Sequence, residues 1–165
     1  MDSTERLALP LLAPGQAQNE LFHNEALQML DIAVAASVEG EPGDDPPSTP
    51  GLGTAYLVGD TPAAVWTGYA RHIAGFGTAG WRFIAPKIGM SAFVKSSQTV
   101  AVYTDAGWEI GKVRAASVII DGDQVVGPRA GSILDPSGGS TIDAEARAAV
   151  AGILATLRQH GLISP

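Results

Sequence analysis

Trp66–Phe93, WTGYARHIAGFGTAGWRFIAPKIGMSAF, decides how the rest of this 165-residue chain is read. Nine of its ten aromatic residues lie between Tyr56 and Trp108, with Phe22 alone outside. The chain has no cysteine, so no disulfide framework or thiolate metal site can stand in for an apolar core. The large side chains therefore mark where the core forms. Short apolar runs broken by glycine give period-2 alternation, as in Trp81-Arg82-Phe83, where Trp81 and Phe83 share one strand face and Arg82 takes the other. Strands are expected at Ala55–Val58, Ala64–Thr67, Ile73–Phe76, Trp81–Ile84, Ala92–Lys95, Thr99–Thr104 and Ser117–Ile120. Turn signals separate them at Gly59-Asp60, Gly77–Gly80, Ser96-Ser97 and Asp105-Ala106-Gly107. In SVIIDGDQVVG, Asp121-Gly122 supplies the positive φ angles of a tight hairpin. Strands this short and closely spaced predict a small antiparallel β module, barrel or sandwich.

Before the module, residues 39–53, EGEPGDDPPSTPGLG, read as an acidic proline and glycine linker. Asp44 and Asp45 lack the spaced oxygen ligands of a calcium loop and read as a solvated turn. A helix is expected over Asn24–Val38, with Asn24 as N-cap and Glu25 in its first turn. Leu27, Leu30, Val34 and Val38 form a stripe, and Gln28 and Asp31 leave a narrow polar strip, a pattern that wants contact on more than one side. Residues 7–14, LALPLLAP, are apolar but broken by proline. Such an arm must be covered by the β-rich body or by a neighbouring subunit, and the second is the reading preferred here. After the module comes a last helix, Asp143–His160, with a Gly161 C-cap. Ala146, Val150, Ile153 and Leu157 recur at spacings of four, three and four, a short heptad seam. The expected fold is α+β: an N-terminal helix, the β module, then a C-terminal helix after a β-hairpin, oligomeric. The expected divisions are residues 1–38, 39–53, 54–114 and 115–165.

Charge excludes some functions. Residues 1–50 carry nine acidic side chains against Arg6 alone, and residues 51–114 carry six basic against three acidic. No dense basic surface for nucleic acid results. Apolar runs are too short and interrupted for a membrane span, and Asp2, Glu5 and Arg6 before Pro10 do not make a signal peptide. His23, His72 and His160 have no metal spacing, and neither a nucleophile elbow nor a P-loop is present. No catalytic residue, cofactor or metal is expected. A polysaccharide-degrading enzyme would have to use Asp60, Asp105 or Glu109, which are ordinary turn and strand acids. Trp66, Tyr69 and Arg71 are the candidate glycan-binding residues, because flat aromatic faces stack on pyranose rings and polar groups orient the hydroxyls. The competing reading is that such aromatics are core. Candidate oligomer contacts are Leu27, Leu30, Val34, Val150, Ile153 and Leu157.

Three blocks resemble a family. They are LALPLLAPGQAQNELFHNEALQMLD, then YLVGDTPAAVWTGYARHIAGFGTAGWRFIAPKIGMSAFV with its W-x-G, I-A and G-W-R-F-x-x-P-x-x-G pattern, and VVGPRAGSILDPSGGSTIDAEARAAVAGILATLRQHGLI. The chain resembles an uncharacterised domain family of bacterial prophage and gene-transfer-agent tail proteins. Phe22 departs from the threonine expected of a capping box with Glu25. The resemblance implies a tail-fibre-like virion structural protein, assembled in the bacterial cytoplasm, trimeric, partnered by other tail proteins and by cell-surface polysaccharide. A purely structural adaptor without ligand is the alternative.

Overall fold

A computed structural model describes residues 2–15, 19–34, 36–141 and 143–165. The chain divides into two compact units, residues 1–112 and 113–165. In chain order the first holds α1 (Asn19–Ala33), β1 (Ser37–Val38), β2 (Ala55–Leu57), β3 (Ile73–Gly77), β4 (Gly80–Ile84), β5 (Ser91–Val94), β6 (Thr99–Thr104) and β7 (Gly107–Ile110). The second holds β8 (Val118–Ile120), β9 (Asp123–Val126) and α2 (Ala144–Gln159). The class is α+β, as the alternation of periods predicts.

Two sheets share the core of the first unit. One has the order β1-β5-β6-β7 and the other β2-β3-β4; all pairs are antiparallel except β1 with β5, where Ser37 meets Phe93 and Val38 meets Val94. Val38, Ala92, Val94 and Ala101 from the first sheet and Ala55, Leu57 and Ile73 from the second form one buried cluster with Ile32 of α1. The other face of the β2-β3-β4 sheet builds a second cluster from Val58, Trp66 and Ala74, flanked by Tyr56, Trp81 and Phe83. Trp81 and Phe83 therefore share a face as expected. Arg82, on the opposite face, forms an ion pair with Glu25 of α1 at 2.9 Å.

The N-terminal helix departs from expectation at both ends. It begins by Asn19 and ends at Ala33, and Ser37–Val38 belong to a strand; Ala35, inside the expected helix, lies outside the described residues. Asn24 does not cap. Its side chain instead accepts from Leu12 N at 2.9 Å and donates to Leu12 O at 3.0 Å, holding the apolar arm. Asp31, expected on a polar strip, is 3 % exposed. It accepts from Thr4 Oγ1 (2.8 Å), Arg6 N (3.0 Å) and Leu7 N (2.7 Å). Arg6 Nη1 donates to the carbonyls of Asp31 and Ile32, satisfying acceptors that the helix end leaves open. The arm is thus tied down on its own chain at Thr4, Arg6, Leu7 and Leu12. A carboxylate that accepts three bonds from one segment supplies the reason.

Two further expectations change. Ala64–Thr67 is not a strand: Ala64–Trp66 is a 3-10 turn, closed by Trp66 N donating to Ala63 O at 3.0 Å and Thr67 Oγ1 to Ala64 O at 2.8 Å. Residues 39–53 are not a free tether either. Glu39 N donates to Ala55 O, Gly43 N to Leu57 O and Gly59 N to Gly43 O, so the segment runs pinned beside β2.

In the second unit, Asp121 and Gly122 take positive φ angles at the β8–β9 turn as predicted. Asp143 caps α2, its carboxylate accepting from Ala146 N at 2.8 Å. At the other end Leu162 N donates to Leu157 O and Gly161 N to Arg158 O, with Gly161 at φ +71°, a Schellman motif. Leu154 and Ile163 are its buried hydrophobic residues among those described.

Candidate functional site

A polar cleft of the first unit has a volume of about 290 Å³ and is lined by Pro42, Asp44, Val58, Gly59, Asp60, Arg71 and the 106–108 turn into β7. Separate segments deliver these residues: the pinned 39–53 stretch, the end of β2, the residue before His72 and β3, and the β6–β7 turn. Close approach requires glycine at 59. A Cβ there would lie 3.1 Å from Asp44 Cγ and overlap its Oδ1. Asp44 is held in turn by Thr61, whose N–H donates to Oδ1 at 2.9 Å and whose hydroxyl donates to Oδ2 at 2.6 Å. The hydroxyl bond, then the N–H bond, holds the Asp44 carboxyl below the usual carboxylate range.

Arg71 organises the cleft. It stands at φ +65°, a left-handed conformation uncommon for a long side chain. Three bonds hold it there: its N–H donates to Gly59 O at 3.0 Å, its carbonyl accepts from Trp108 Nε1 at 2.7 Å, and its Nε donates to Asp60 Oδ1 at 2.6 Å. The hydrogen bond and charge of Asp60, with a further hydrogen bond to Tyr103, raise the guanidinium above its ordinary value, so it stays charged. Trp108 meets Tyr103 edge to face at 5.1 Å and forms part of the wall. The arrangement offers two carboxylates, a paired guanidinium and an indole around one open volume. It can orient hydroxyl groups; the described residues present no group of three or more metal-ligating side chains.

The three residues singled out for glycan binding do not stand together. Trp66 is 2 % exposed and packs between Tyr56 (5.9 Å) and Trp81 (5.3 Å, 86°), so its faces are not open for stacking. Its Nε1 has no hydrogen-bond partner among the described residues. Tyr69 is 40 % exposed but stacks one face on Phe83 at 3.7 Å, and it does not line the cleft. Arg71 alone does. Trp108, whose ring type suits a sugar surface, lines the cleft as well, and so does Asp44, which the sequence presents as a solvated turn. Asp44 sits in a proline-rich stretch, and its contact with Thr61, seventeen residues on, has no local signal.

Of the acids weighed for catalysis, Asp60 lines the cleft, whereas Asp105 and Glu109 do not. Glu109 lies 3.9 Å from Lys112. Among the candidate oligomer contacts, Leu30, Val34, Val150 and Ile153 are exposed, and Leu27 and Leu157 are half-buried. No helix among the described residues is long and apolar enough to cross a membrane.

Fold and site define an α+β protein with a two-sheet unit carrying a polar cleft, and a smaller hairpin–helix unit. The sequence model of DUF2793, a family of proteins of unknown function, matches residues 23–109, more than half of the chain. The chain belongs to that family. The matched segment runs from within α1 to β7 and includes every cleft residue. No curated protein matches the chain.

Proposed function

We propose that the protein is a structural, self-assembling subunit of a phage-like or gene-transfer-agent tail, tail-fibre-like, assembled in the bacterial cytoplasm. In this reading it is carried in the particle and contributes to attachment to cell-surface glycan. One observation carries the assembly part. Residues 113–165 leave most of their apolar side chains in water: Val118, Ile119, Ile120, Val125 and Val126 of the hairpin are 42–56 % exposed, and Ile153 is 60 % exposed. A two-stranded hairpin apolar on both faces is marginal alone and needs cover.

The helix supports self-association as the cover. Its spacing puts Val150 and Leu157 at heptad a positions and Ala146 and Ile153 at d. Leu at a with Ile at d favours trimers and tetramers over dimers. Ala149, Gly152 and Thr156 beside this seam are small, which permits close approach of identical helices. Two heptads are too short to hold a coiled coil unaided, so the hairpin must share the interface.

Because the chain has no cysteine, Ile153→Cys is a clean probe. A three-chain mass by light scattering, with rapid oxidative cross-linking at position 153, is the expected result. A monomer at micromolar concentration would refute self-assembly. For the tail context, the chain is expected in purified particles by immunogold labelling, and its absence from them would refute that part.

A further inference from the structure

We infer that the Asp44–Asp60–Arg71–Trp108 cleft is a subsite for one neutral pyranose ring. This names the ligand site for the attachment part of the proposed function and rests on that part only.

Size is the first argument. About 290 Å³ is at the low end of small-molecule sites and suits a single sugar ring rather than a chain. The lining chemistry is the second. Sugar hydroxyls are bound by charged groups that accept and donate in fixed geometry, beside an aromatic wall that covers the apolar C–H face. Here Asp44 and Asp60 accept, Arg71 donates, and Trp108, half-buried against the core, lines the wall with its remaining exposed surface. Charge is the third. Asp60 neutralises Arg71, and Asp44 is held ionised by Thr61, so the cleft keeps one net negative charge. That disfavours uronic and sialic acids and leaves neutral sugars.

The side chains are also held before any ligand arrives. Thr61 fixes both oxygens of Asp44, Trp108 Nε1 is bonded to Arg71 O, and Gly59 makes room for Asp44. Binding would then cost little side-chain ordering. Asp60 and Arg71 are partly solvent-exposed, so a ligand can reach them without opening the fold.

The test uses the full chain and follows the three tryptophan indole N–H resonances during titration with methyl glucoside, methyl galactoside, N-acetylglucosamine and glucuronate. At least one neutral sugar is expected to shift the Trp108 resonance saturably, in the millimolar range, and to leave Trp66 and Trp81 in place. Asp60→Ala and Asp44→Asn should each weaken the affinity read from that shift at least tenfold, measured at a temperature where circular dichroism shows both variants folded. The inference is overturned by no saturable Trp108 shift with any neutral sugar, by a shift unaffected in both variants, or by glucuronate binding as tightly as the neutral sugars. Self-assembly is read by mass in the same sample, so failure here and failure of assembly are told apart.

Discussion

Gly75 is where α1 rests on the β2-β3-β4 sheet, and it offers a sharp test of the packing. A Cβ built there would lie 2.6 Å from Ile32 Cγ1 and 3.1 Å from Cγ2, closer still to Cδ1. Because several atoms of Ile32 are involved, rotating its far end does not relieve the overlap. The helix must lift or the strand must yield, an overpacking cost of about 1–3 kcal/mol. Alanine in place of glycine within a strand returns about 0.5–1 kcal/mol of backbone entropy. The net expectation for Gly75→Ala is a loss of about 1–2 kcal/mol, or roughly 4–8 °C in a unit of this size. Gly43 is the control: a Cβ there meets nothing within 4 Å and its φ is ordinary. Trp66, Trp81 and Trp108 all lie in residues 1–112, so urea unfolding followed by tryptophan fluorescence reports that unit alone. Ile32→Ala by itself should cost about 2–5 kcal/mol. In the double variant the clash is gone, so the loss should fall short of the sum by more than about 0.5 kcal/mol. A Gly75→Ala loss equal to that of Gly43→Ala, or strict additivity with Ile32→Ala, would refute the reasoning.

Asp31→Ala removes the acceptor of three arm donors and should destabilise the first unit by about 2–3 kcal/mol, with early proteolysis before residue 12 as the companion signature. Asp44, whose folded value is depressed, adds stability that is present above the ordinary carboxylate value near about pH 4 and is lost as pH falls through the folded one. Asp44→Asn should therefore flatten the acid limb of a stability-against-pH curve measured by urea titration; an unchanged limb would contradict the Thr61 assignment. Ile153→Asp, at a site exposed within the single chain, should leave the first unit's unfolding within about 0.5 kcal/mol of wild type. It should lower the assembled mass, and an unchanged mass would show that this face is not a contact.

Features that depend on near neighbours were legible in the sequence. Asp121-Gly122, the Asp143 cap and the Gly161 terminus each act within a few residues, and each stands where the sequence puts it. Trp81, Arg82 and Phe83 likewise follow the strand period. What escaped was set by partners far along the chain. Val38 continues a helical stripe by spacing, yet parallel pairing with Val94 draws it into a strand. Asp31 looks like a solvated helix residue until Thr4, Arg6 and Leu7 close over it. Trp66 reads as an edge aromatic because nothing local shows that a 3-10 turn points it inward. The cleft failed for the same reason. Arg71 could be named, but its companions Asp44 and Trp108 arrive from opposite sides of the sequence.

The parallel pairing of β1 with β5 has a kinetic consequence. Its flanking ion pair, Lys95 Nζ to Glu39 Oε1 at 2.6 Å, joins residues 56 positions apart. During synthesis β1 therefore lacks its strand partner, and Val38 its cover from that side, until β5 has left the ribosome. Closing so long a segment before its contacts repay the lost entropy slows folding and lengthens the time that apolar surface is open to wrong partners. Expression at low temperature or with a chaperone is expected to raise the folded yield more than changes at the surface of the mature unit. The clasp that joins β1 to β5 is thus expected to be one of the slow closures in forming this core.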